Sequence, residues 1–156
     1  MNIIAIDCGA LFVDGIMEKN ISRHAPKVHG DGDISNPEQI ISLIKEVQIM
    51  LKELSEGLIE AGLVICNEMH GFLLADNTGN PITDYISWQK EYGSIKIDGR
   101  TVLNRLSEES LREDIINSGM PLRAGLPNVN LFYLCMNGYI DNIKGDVYFY
   151  TLGDYL

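Results

Sequence analysis

Asn67-Glu68-Met69-His70-Gly71-Phe72-Leu73-Leu74-Ala75-Asp76-Asn77-Thr78-Gly79-Asn80-Pro81-Ile82, running on to Tyr85-Ile86-Ser87-Trp88-Gln89, is the stretch that decides how this 156-residue chain is read. The run Leu63-Val64-Ile65-Cys66 leads into it, short and rich in β-branched residues, which suits a buried strand better than a helix. The polar group that follows therefore sits at the strand's carboxyl end. Open α/β sheets hold their ligands at such ends, so Met69, His70 and the nearby Trp88 are candidate contacts for a small molecule. Gly71 lets the backbone turn or approach a ligand, and Phe72 to Ala75 is a second apolar run. Asp76 to Pro81 is dense in turn formers, which predicts a hairpin that returns through Ile82 to Ile86 and brings Trp88 close to His70.

The bulk properties bound the answer. A chain of this length fits one domain with a substantial core. Hydrophobic residues make up 46% and charged residues 22%, ordinary for a soluble globular protein. The formal charge of −10 repels nucleic acid and anionic membrane surfaces, so neither is an expected partner. No apolar run approaches the roughly 20 residues of a membrane span, and no basic segment precedes an apolar leader. A cytoplasmic location is the expectation. Cys8, Cys66 and Cys135 are far apart and odd in number, which predicts reduced core thiols and no zinc site.

In chain order, Met1 to Asp7 reads as a short buried strand closing in a carboxylate, and Ala10 to Met17 as a second strand across a tight turn. Ile21 to Val28 suits a third, made irregular by Pro26. His29 to Asp33 is an acidic loop that lacks the offsets of a calcium loop. Asn36 as cap, Pro37 at the first helical position and Gln39 as reciprocal cap predict a helix to about Ser55, with Ile40, Ile44, Val47, Leu51 and Leu54 on its apolar face. Gly57 ends it, and Ile59 to Cys66 returns as a strand parallel to the first. Residues 94–100 suit an extended excursion around Asp98-Gly99. Thr101 to Asn117 reads as helical, with caps at Ser107 and Glu109 or Ser110. A further helix ends near Gly138 with Leu131, Leu134 and Cys135 in the core, and Val147 to Thr151 reads as a strand.

On these motifs the chain resembles the FGGY carbohydrate kinases, most of all their xylulokinase branch. Glu68-Met69-His70-Gly71, Leu74-Ala75-Asp76, Gly79-x-Pro81 and Ile86-Ser87-Trp88 match that family's sugar-binding segment. Asn36-Pro37-Glu38-Gln39 resembles its helix entry, Ser118-Gly119-Met120-Pro121 its Thr-Gly-x-Pro, and Leu152 to Leu156 its Leu-Pro-Lys-Asp-Tyr-Leu. Asn130 stands where the family has Lys. The resemblance implies an actin-like ATPase (ribonuclease H-like) α/β fold, with a mixed sheet of antiparallel hairpin strands and parallel strands flanked by helices. It also implies a sugar or polyol ligand held by Glu68, Met69, His70, Trp88 and Gln89, with ATP and magnesium as the family's cofactors.

Two departures qualify what the resemblance implies. The family's phosphate hairpin reads Asp-x-Gly-Thr followed by hydroxyl donors and a cation. Asp7 and Gly9 match, but Ala10, Leu11, Phe12 and Val13 replace the donors and Asp14 replaces the cation, which removes what a phosphate needs. Asp7 is then either a strand end or a metal-associated carboxylate, and the apolar neighbours favour the first. The family is also roughly three times longer, so residues 1–156 correspond to a sugar-side N-terminal domain without the catalytic Asp segment or the nucleotide-binding domain. No phosphorylation is expected from this chain alone. The alternative is a non-catalytic module that binds a metabolite or self-associates. A homodimer or a complementary C-terminal kinase domain is the expected partner, because the cleft wall should carry apolar surface. His70 reads either as a hydroxyl ligand or as a satisfied strand-end histidine, and Trp88 as a stacking wall or as core with one exposed edge.

Overall fold

Strand β1, Asn2–Cys8, shows why the chain folds around its start. Side chains alternate across a strand, and here Ile4, Ile6 and Cys8 are buried while Ile3 and Asp7 are exposed. In this computed structural model, residues 2–8, 13–17, 20–24, 34–35, 37–110, 112–119 and 121–156 are described. β1 pairs antiparallel with β2, Val13–Met17, which pairs antiparallel with β3, Asn20–His24. The expected starts at residues 10–12, the end of the third strand at 25–28, the acidic loop at 29–33 and the Asn36 cap lie outside the described residues.

A two-residue strand, β4, Ile34–Ser35, precedes helix α1, Pro37–Leu54. The buried ridge of α1 is Ile40, Leu43, Val47, Met50 and Leu54, with Ile44 and Leu51 half-buried beside it. The predicted stripe is thus rotated slightly, because Leu43 and Met50 fill the i+3 positions it skipped. Removing side chains of that kind from water contributes about 1.5–3 kcal/mol each. Gly57 takes φ 77° just beyond the helix, a left-handed turn that L side chains resist. Strand β5, Ala61–Asn67, then pairs parallel with β1, giving the order β3-β2-β1-β5.

The structure corrects one expectation about β5. Its apolar run is half open, with Leu63 at 47% and Val64 at 49% exposure, and Cys66 is exposed as well. β-branched composition signals a strand, but burial needs cover, and β1 flanks β5 on one side only among the described strands. The second thiol correction is Cys135, which is exposed rather than core; only Cys8 is buried.

The chain leaves the first sheet at Asn67 and enters a second, ordered β10-β6-β7-β4. β6 is Phe72–Ala75, β7 is Tyr85–Ile86, and β10 is Tyr148–Thr151. β6 is buried throughout, and its two faces serve two cores. Leu73 and Ala75 join Ile4, Ile6, Leu43 and Met50 under α1, whereas Phe72 and Leu74 join Ile86 and Leu134. Phe72 also stacks on Phe149 of β10, ring centroids 4.8 Å apart. The predicted hairpin closes as read, with Phe72 opposite Ile86 and Ala75 opposite Pro81. Its turn is built on Asp76, whose Oδ1 accepts from Thr78 N (2.9 Å), Thr78 Oγ1 (2.7 Å) and Asn80 N (2.9 Å). Asn80 Nδ2 donates to Oδ2 at 3.1 Å, and these donors hold the Asp76 carboxyl well below the usual carboxylate range.

Downstream, β8 (Lys96–Ile97) and β9 (Arg100–Thr101) form a ribbon around Asp98 (φ 50°) and Gly99 (φ 81°), two consecutive left-handed residues of a tight hairpin. The single helix expected over 101–117 is two: α2, Val102–Glu109, and α3, Arg112–Asn117. Ser110 is extended (ψ 138°) between them, and the cap at the start is Thr101, whose hydroxyl accepts from Asn104 N, not Ser107 inside α2. α4, Pro127–Met136, starts with Pro at its first turn and buries Val129, Asn130 and Leu134. α5, Leu152–Tyr155, is closed by a reciprocal Thr151–Asp154 capping box.

Candidate functional site

Between the end of β5 and the start of β6 the chain has four residues in which to change sheets, and it uses an unusual backbone to do so. His70 adopts φ 63°, a left-handed conformation uncommon for a residue with a Cβ. Gly71 follows because nothing larger fits: a Cβ there would overlap the Tyr85 hydroxyl and Cζ. Tyr85 is fully buried, and burial, then the neighbouring Glu68 carboxylate, push its phenol far above the ordinary value, so the hydroxyl stays protonated at every physiological pH. Glu68 also accepts a 2.7 Å hydrogen bond from the buried Ser87 hydroxyl. The carboxylate is therefore fixed by groups carried on β7 and the residue after it. Asn67, its amide oriented to suit both neighbours, donates to Glu68 O at 2.8 Å and accepts from Gly153 N at 3.2 Å, which ties the end of β5 to α5.

A second wall comes from residues 121–126. Gly93, within the short 3-10 turn Tyr92–Ser94, donates its N–H to Ala124 O at 2.9 Å. A Cβ on Gly125 would overlap the Trp88 carbonyl oxygen, so glycine permits the loop to lie directly on the Trp88 backbone. Asn130, buried in α4, clamps the arrangement. Its Oδ1 accepts from Tyr92 N at 3.2 Å and its Nδ2 donates to Gly125 O at 3.3 Å. A Lys at that position would have no acceptor for Tyr92, so Asn130 has a positioning role.

These walls enclose an open cleft of about 580 Å³, within the range of small-molecule sites. The structure brings Glu68, Met69, His70 and Trp88 together on it, joined by Asn67, Glu91, Arg123 and residues 124–126. Met69 is 72% and Trp88 47% exposed, so both present apolar surface to the space and neither serves as core. Gln89 does not line the cleft; its N–H donates to Ser87 Oγ at 3.3 Å while its side chain is exposed on the surface.

Sequence reasoning passed over Arg123, Glu91 and Asn67. One signal was available for Arg123, the single basic residue between Arg112 and Lys144, set in a loop directly before a Pro-started helix.

Asp7 is exposed at the end of β1, opposite Asp14 in register on one side and Cys66 on the other. It does not line the cleft. Gly9 lies outside the described residues. Residues 10–12 of the expected phosphate hairpin likewise lie outside the described residues. Among the described residues no cluster of three metal-ligating side chains occurs, and no helix is long and apolar enough to cross a membrane.

No family model and no curated protein sequence matches the chain. Solved structures do. Gluconate kinase from Lactobacillus acidophilus superposes with a TM-score of 0.72 at 14% identity, covering 99% of this chain and 32% of its own. Xylulose kinase from the same organism gives 0.64 at 15% identity, over 86% of this chain and 28% of that one. Glycerol kinase from Plasmodium falciparum, solved with ADP, gives 0.58 at 17% identity over 99% and 33%. The chain thus shares the fold of part of the FGGY sugar kinases and spans about a third of their length.

Proposed function

We propose that this chain is the sugar-side lobe of an FGGY-type carbohydrate kinase, of actin-like ATPase fold, whose cleft holds a sugar or polyol through Glu68, Met69, His70 and Trp88. The observation that carries this reading is the convergence of those four side chains, drawn from two separated segments, on one cleft where β5 passes into β6. Their chemistry suits such a ligand. Glu68 accepts from hydroxyls, the His70 imidazole both donates and accepts, and the half-exposed Trp88 ring and Met69 offer apolar surface to the C–H face of a sugar. The Asn67 amide adds a further polar group at the rim.

Phosphoryl transfer needs two substrates clamped in line with charge stabilisation at the transferring group. The sequence between β1 and β2 has Ala10, Leu11, Phe12 and Val13 where hydroxyl donors would serve a phosphate, which supports placing ATP and magnesium on a complementary domain and binding without turnover on this chain. Trp88 is the only tryptophan, which makes the test direct. Pentuloses, aldoses, polyols and sugar acids titrated into the chain should quench its fluorescence saturably. A flat response across the whole panel sinks the reading.

A self-associating module derived from the same fold is the second reading. It is favoured by one observation: Ile3 and Val64 lie half-open on the face of β1 and β5 opposite the one packed against α1. Sedimentation of the isolated chain decides it, since a strictly monomeric species removes this alternative.

A further inference from the structure

The cleft mixes charges in a way that a neutral sugar does not require. Each of its two carboxylates accepts a hydrogen bond from a serine and keeps further acceptor sites. Glu68 accepts from the buried Ser87 hydroxyl at 2.7 Å, and Glu91 accepts from Ser94 Oγ at 3.3 Å. Arg123 lines the same space, and no described residue forms a hydrogen bond or ion pair with its guanidinium. Every other cleft residue is neutral, acidic or His70. In a chain of net charge −10, a cleft-lining arginine with no ion-pair partner among the described residues is the feature that calls for explanation.

Its placement is not incidental to the fold. The loop that bears Arg123 is fastened at Gly93 N–H to Ala124 O, at Gly125 against Trp88, and through Asn130 to Gly125 O. The Leu126 N–H donates to the carbonyl of Arg123 itself at 3.1 Å, closing the turn on that residue. Backbone position is therefore set at Arg123 and along the three residues that follow it. Guanidinium presents a planar fork of donors that matches a carboxylate through two parallel hydrogen bonds, a geometry no neutral hydroxyl reproduces.

We propose that the cleft selects a polyhydroxylated carboxylic acid, an aldonic or uronic acid rather than a neutral ketose or polyol, and that Arg123 is the specificity-determining residue that receives its carboxylate. The proposal rests on the sugar-binding reading above and names the substrate class within it. The carboxylate occupies the Arg123 side of the cleft, while the hydroxyl chain lies toward Glu68 and His70, which suit hydroxyls; the Glu68 carboxylate would repel an acid group. No covalent step is involved.

The test is a set of Trp88 fluorescence titrations of the chain with D-gluconate, D-glucuronate, D-xylulose and D-xylitol, at low and physiological salt. The expected result is that the acids bind about tenfold more tightly than the neutral ligands, the advantage of a partly exposed charge-assisted pair, and that salt reduces it. In Arg123→Gln the ratio of acid to D-xylulose affinity falls to about one, and Arg123→Lys restores part of it because charge returns without the fork. Equal or tighter binding of the neutral ligands by the unsubstituted chain overturns the proposal and leaves the sugar-binding reading standing. An acid preference that survives in Arg123→Gln overturns the role of Arg123. No quenching by any of the four ligands overturns both readings together.

Discussion

The left-handed backbone at His70 gives the sharpest test of how the cleft is built. Its φ of 63° places a Cβ where it crowds the chain, at a cost of about 1–2 kcal/mol for a residue other than glycine. Glycine escapes that cost but gives the unfolded chain more freedom, which offsets about 0.4–1 kcal/mol. His70→Gly should therefore be more stable than His70→Ala by about 0.5–1 kcal/mol, the two variants sharing the same loss of the imidazole. For a chain of this size that difference is about 1–4 °C in Tm. Because His70 is exposed, removal of the imidazole itself shifts stability by no more than about 0.5 kcal/mol. His70→Asn should fall between Gly and Ala, since Asn tolerates this region, and the β-branched His70→Val should be the least stable of the four. Urea unfolding followed by circular dichroism measures the series, with equal m-values showing that only stability has changed. If His70→Ala matches or exceeds His70→Gly, the backbone at residue 70 carries no strain and the account of the β5–β6 passage is wrong. If the order holds, the residue type at this position is kept at the expense of stability, as expected where a side chain serves a ligand.

Gly71→Ala should destabilise by about 1–3 kcal/mol or more, because its Cβ has to displace the fully buried Tyr85 ring, and a mutant with an unchanged urea midpoint would show that Tyr85 does not pack there. The Asp76 turn predicts an acid limb. Its folded-state carboxyl sits below the ordinary 3.8, so the unfolded chain takes up the proton first; this contribution is whole above about pH 4 and is lost as the pH falls further. Asp76→Asn should flatten the stability curve below pH 4, and an identical slope in both proteins refutes the role of the turn. Thiol reagents should modify Cys66 and Cys135 in the folded protein and spare Cys8, which is buried with its pKa pushed up to about 11 chiefly by burial, with Asp7 and Cys66 adding to it. Three fast-reacting thiols under native conditions would contradict the packing of β1 on α1.

Local chemistry explains which parts were legible in the sequence. The β6–β7 hairpin could be read because Asp76, Thr78, Gly79 and Asn80 form their turn among themselves, with no help from distant residues. Likewise Asp98-Gly99 makes its own tight hairpin, and the helix at Pro37 follows from the 3.6-residue period. The break between α2 and α3 was not visible, since Ser110 is extended without any proline or glycine beside it to mark the end. Exposure of β5 was equally hidden: Leu63 and Val64 look the same whether or not another layer covers them. Met69, His70 and Trp88 could be placed near one another because a hairpin of predictable length joins their segments, whereas Glu68 entered through the family resemblance. Arg123 was missed because its place depends on Gly125 lying against Trp88 and on Asn130 reaching Tyr92, pairings that no spacing rule encodes. Gln89 was included by sequence adjacency, and the turn after Ser87 takes it away from the cleft.

The double-faced strand Phe72–Ala75 has a consequence for how the molecule comes apart. Since its alternate side chains belong to two different cores, neither core can open while the other stays shut. Both cleft walls hang from those cores, one through Tyr85 and the other through Leu134. Melting should accordingly be a single cooperative event in which the cleft and the protected amides of residues 72–75 vanish at the same temperature.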